Sequence, residues 1–70
     1  MTRHPVVVYP PSVSGGRRVR IDAIISGTAY SDRDLIEFLR RAGAQEPEAM
    51  AESNLIEWRG GHPHEYLADA

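Results

Sequence analysis

Cysteine and lysine are both missing from the 70 residues. The first absence excludes disulfides and any thiolate-ligated metal, and the second leaves every fixed side-chain cation on one of eight arginines. Long apolar runs are missing too. None approaches the ~18 residues of a membrane span, and the first residues lack the basic segment and ~7–15-residue apolar stretch of a secretory signal, so a cytoplasmic protein is expected. Length is the remaining scarcity: below ~70–80 residues one apolar core seldom supplies more than ~3–5 kcal/mol without disulfides, metal or a partner. Homodimerisation or binding to another protein follows as an expectation.

What is present is ordinary for a folded domain: 41% apolar and 26% charged residues, with a net charge of −2. The charge is unevenly spread. Residues 1–42 hold seven arginines against four acids (+3), and residues 43–70 hold one against six (−5), which sum to the −2 of the whole chain. Packing of the halves against one another explains this without an anionic ligand.

Val6-Val7-Val8-Tyr9 is β-branched and aromatic and stops at Pro10-Pro11, where the backbone donors run out, so a short strand is expected there. Ser12 to Gly16 reads as a turn. From Arg18 to Asp22 polar and apolar residues alternate, placing Val19 and Ile21 on one face and the arginines on the other. Asp22-Ala23 either closes a tight reversal into Ile24–Tyr30 or lies within one long strand bulged near Gly27. The helix signal is the clearest. Ser31 precedes Asp32-Arg33-Asp34 as an N-cap, and Leu35, Ile36, Phe38, Leu39 and Ala42 form an apolar stripe ended by Gly43, predicting a helix over 32–42. The Ala44–Asn54 segment is a short helical turn from Pro47 or a connector, and Leu55–Arg59 is a last strand closed by Gly60-Gly61.

The expected fold is therefore α+β: a small antiparallel sheet of three to four strands with one amphipathic helix packed on one face. Residues 1–61 form the domain and 62–70 a flexible tail. The expected core is Val6, Val8, Val19, Ile21, Ile25, Leu35, Phe38, Leu39, Ile56 and Trp58.

Few residues suggest chemistry. His4, His62 and His64 are the imidazoles available for proton transfer or metal, but the His62-Pro63-His64 spacing matches no metal motif, so neither metal nor cofactor is expected. Gly15-Gly16-Arg17-Arg18 has donors suited to oxyanions but lacks the phosphate-loop and dinucleotide patterns. No GxSxG occurs, and Ser26, Ser31 and Ser53 have turn or cap explanations, so no enzyme is expected. The residues singled out for interaction are Arg17, Arg18, Arg20, Arg40, Arg41 and Trp58. They suggest a protein-interaction or regulatory module; a nucleic-acid binder using the arginine-rich hairpin and helix end is the alternative. It requires those arginines on one surface, and the pI near 5.8 speaks against it.

Taken together, Arg18-Val19-Arg20-Ile21-Asp22, Gly27-Thr28-Ala29-Tyr30-Ser31, Asp34-Leu35, Glu37–Gly43 and Ile56–Gly61 resemble short uncharacterised proteins encoded in actinomycete genomes. The resemblance implies a bacterial host and a self-contained domain, not an activity. Eight alanines and the missing lysine agree with a GC-rich genome. Ala23 stands where the resembled pattern has glycine.

Overall fold

The computed structural model describes residues 5–66. Strands β1 (Val6–Val8), β2 (Arg17–Ile21) and β3 (Ile24–Ala29) are followed by helices α1 (Asp32–Arg41) and α2 (Pro47–Ala51) and strand β4 (Ile56–Trp58). The sheet order is β3-β2-β1-β4. An α+β fold with a helix across one face is what the alternation and the amphipathic stripe predict. One seam differs from the expected pattern: β4 lies parallel to β1, so the sheet is mixed. The cause is the connection. From β3 at one edge the chain crosses the sheet through α1 and α2 before entering β4 at the other edge, and a crossover of this length is what permits parallel strands.

The β2–β3 hairpin turns at Asp22-Ala23, with Ile21 opposite Ile24. Asp22 takes a positive φ of 56° at this turn, in the left-handed region that aspartate tolerates better than most residues. A bulge is present as well. Val19 pairs with Gly27 and Arg20 with Ile25, so Ser26 is the extra residue.

That bulge changes which side chains are buried. Simple alternation would put Ile25 on the same face as Gly27 and Ala29. The inserted Ser26 turns Ile25 to the other face, opposite Arg20, where it is 51% exposed rather than part of the expected core. The observed core is Val6, Val8, Val19, Ala29, Leu35, Leu39, Ala51, Ile56 and Tyr66, with Ile21, Phe38 and Trp58 half-buried against it. Leu35 and Leu39 are fully enclosed, each burial worth ~1.5–3 kcal/mol.

Helix α1 is held at both ends, though not as expected at the first. Ser31 makes no side-chain cap; its carbonyl accepts from the amides of Asp34 and Leu35, and the Asp34 carboxylate reaches back to the Tyr30 amide at 2.9 Å. At the other end the Gly43 amide donates to the Arg40 carbonyl and the Ala44 amide to that of Leu39, the paired bonds of a Schellman motif. Gly43 supplies its left-handed residue, with φ 103°.

Candidate functional site

Two assemblies stand out, both near the end of the sheet where β1 and β3 finish. The first is internal. Arg17 begins β2 on the helix-covered face and is 0% exposed. Its Nε donates to the Tyr9 carbonyl at 2.8 Å, one terminal nitrogen to those of His62 and Glu65, and the other to those of Arg59 and Gly60. A guanidinium has five N–H donors, and here five carbonyls receive them. The Trp58 ring lies 5.2 Å from its carbon. Burial lowers the pKa of Arg17, but arginine keeps its charge at any physiological pH.

Arg17 therefore belongs to the interior and not to the interaction surface expected for it. It fastens residues 59–65, and the segment continues inward to Tyr66, 6% exposed. The Tyr66 hydroxyl donates to Asp32 Oδ1 at 2.7 Å, while His64 Nδ1 lies 2.8 Å from Oδ2 of the same carboxylate. Trp58 stacks near both rings, at 4.8 Å from His64 and 6.2 Å from Tyr66. Residues 62–66, read from the sequence as the start of a tail, are thus docked on the domain. Burial and the Asp32 carboxylate both push the Tyr66 phenol well above its ordinary pKa.

His64 is committed to Asp32, His62 offers its carbonyl to Arg17, and His4 lies outside the described residues. Among the described residues no three histidine, cysteine, aspartate or glutamate side chains cluster to hold a metal ion.

The second assembly is the sheet face opposite α1 and α2, which no helix covers among the described residues. Strand pairing puts Arg18 opposite Thr28, and Arg20 between Ile25 and Val7, on this face, with Glu57 beyond Val7. Tyr9 continues the row, its ring 5.9 Å from the Arg20 guanidinium and 5.4 Å from that of Arg59. Arg59 is also bonded to Glu57 at 2.6 Å, which raises its pKa. Val7 stays buried beneath these side chains.

At one end of this face is an open groove of ≈560 Å³, lined by Tyr9, Pro10, Arg18, Ile25, Thr28 and Tyr30 among others. Gly16 in its lining lets Thr28 and Tyr30 pack directly on the backbone: a Cβ there would sit 2.5 Å from Thr28 Cγ2 and 2.7 Å from the Tyr30 ring. Tyr30 is 54% exposed. Among the described residues neither Arg18 nor Arg20 has a carboxylate partner, and Arg20 Nε is buried without an acceptor.

The interaction residues expected from sequence are therefore dispersed. Arg18 and Arg20 share the open face; Arg17 and Trp58 support the docked segment inside; Arg40 and Arg41 both pair with Glu37 along α1. Tyr9, Tyr30 and Arg59 complete the open face and were not singled out. Their signal was available in Arg18 and Thr28, which share a side of the hairpin with Tyr30. Among the described residues no helix is long and apolar enough to cross a membrane. No family model matches the chain, and no curated protein or solved structure matches it either.

Proposed function

We propose that the chain is a non-catalytic module that binds another protein through the open sheet face. The observation that carries this reading is the composition of the groove and its rim: Tyr9, Tyr30 and Ile25 beside Arg18 and Arg20, which have no carboxylate partner among the described residues. Tyrosine and arginine are the residue types that dominate protein-interface energetics, because each offers a large contact area with directional polar groups. The opposite face is occupied by α1, α2 and the docked segment ending at Tyr66, so a partner has one broad sheet surface to engage.

Nucleic acid is less well supported. A counterion-releasing stripe needs its cations together, whereas Arg17 is internal and Arg40 and Arg41 are engaged by Glu37. The reading is tested by copurification from the native host. Arg18→Glu with Tyr30→Ala is expected to abolish a stoichiometric protein partner while circular dichroism stays unchanged, and Arg33→Glu, on the exposed side of α1, is expected to retain it. Equal recovery with all variants overturns the assignment.

A further inference from the structure

We propose that the partner presents an extended acidic segment, with carboxylates on alternate residues laid against Arg18 and Arg20; this rests on the open face being the binding surface. Three observations lead to it. Arg18 and Arg20 are two residues apart on β2 and point to the same face, which sets their Cα atoms ~6.6 Å apart along the strand. Alternate residues of any extended peptide have that same spacing, so two carboxylates on one side of such a segment match two guanidinium groups in register.

The second observation is charge. Both arginines lack a carboxylate partner among the described residues, whereas Arg40, Arg41 and Arg59 are already paired. Arg20 holds a buried Nε with no acceptor among the described residues, and its guanidinium lies 5.9 Å from the centre of the Tyr9 ring. A carboxylate arriving at the guanidinium takes the two-pronged geometry that guanidinium favours.

The third is the apolar rim. Ile25 and Tyr30 are half or more exposed and flank Thr28, whose small side chain leaves the groove open between them. An aliphatic or aromatic residue of the segment fits there, giving the carboxylates a desolvated neighbour. Bound phosphodiesters would bring one charge per nucleotide but no apolar side chain for Ile25.

The test is an amide-resonance titration of the full chain with a short extended peptide carrying two glutamates on alternate residues and a valine at the next alternate position, so that all three face the same side, with serines between them. Its controls are the same peptide with lysine for glutamate and a single-stranded oligothymidylate. The expected result is saturable shifts at Arg18, Arg20, Thr28 and Tyr30 with the glutamate peptide alone. Arg18→Gln weakens binding by about tenfold, as loss of a charge-assisted contact should, and Arg33→Gln leaves it unchanged. Equal binding of the lysine peptide overturns the carboxylate assignment, and so does an oligothymidylate that shifts these amides when the glutamate peptide does not. Either outcome leaves the open face as a binding surface. Shifts confined to α1, α2 or the segment after Trp58 overturn both the acidic ligand and the surface, and the absence of any shift with the glutamate peptide overturns the acidic ligand.

Discussion

Replacing Arg17 tests the internal architecture most severely. In Arg17→Met the stem is preserved in bulk, but the carbonyls of Tyr9, Arg59, Gly60, His62 and Glu65 lose their donors. Summing five charge-assisted bonds would overstate the loss, because four of those carbonyls belong to a surface segment that can lift away and rehydrate. The limit is the cost of releasing that segment, including the burial of Tyr66 and the cover over Trp58. Removing one side of a buried charged network costs ~3–5 kcal/mol, which is as much as a core of this size supplies. Arg17→Met is therefore expected to be unfolded, or to have lost residues 59–66 from the domain, at room temperature. Arg17→Lys is the graded test. An ammonium has three donors for five acceptors and no planar fork, so a loss of ~2 kcal/mol and a drop of ~8–16 °C in Tm are expected. Urea unfolding followed by the fluorescence of Trp58, the single tryptophan, reads both the domain and the contact with Arg17. Unfolding of Arg17→Met within ~0.5 kcal/mol of wild type, the range of a neutral surface change, would refute the reasoning.

Three further outcomes follow from the same contacts. Tyr66→Phe loses the bond to Asp32 and is expected to destabilise by ~1 kcal/mol in urea; because the folded state raises the Tyr66 pKa, this stabilisation is complete below the ordinary value of ~10 and is lost as pH rises beyond it, which phenolate absorbance against unfolding will show. Hydrogen bonds from Arg40 and Arg41 hold the Glu37 carboxyl below its ordinary pKa, so their contribution is present above that ordinary value and fades as pH falls through the lowered one; carboxyl resonances should move toward the ordinary value in Arg40→Ala, and an unchanged titration contradicts the pairing. Self-association along β3, where Ile24 and Ile25 are exposed, is a separate proposal that follows from the expectation of homodimerisation: light scattering should give twice 7.8 kDa at high concentration and 7.8 kDa for Ile24→Lys, and a monomer throughout excludes it.

Much of the fold is legible in the sequence because local rules and tertiary packing agree there. The α1 stripe, Gly43 after its end, the alternation in β2 and the proline stop after Tyr9 each depend on a few neighbouring residues. What is not legible is non-local. The parallel seam between β1 and β4 depends on where the crossover delivers the chain, and the exposure of Ile25 depends on one inserted residue at Ser26. Arg17 is the clearest case. Alternation already places it on the same face as Val19, but a charged residue is assigned outward unless acceptors are known to surround it, and four of the five come from residues 59–65, over forty positions away. The candidate site is half legible for the same reason: Arg18 and Arg20, and Tyr30 beside Thr28, follow from alternation in the hairpin, while Tyr9 and Arg59 join them only through the pairing of β1 and β4.

On the proposed function, the sheet face opposite α1 and α2 is where this chain meets its partner. A photo-reactive residue placed at Thr28, and separately at Glu48 on the exposed side of α2, measures this directly in the native host. Covalent adducts at Thr28 to one protein, mapping to a segment with alternating acidic residues, and none at Glu48, are the predicted result. Adducts at Glu48 alone, or nucleic acid at Thr28, would contradict it.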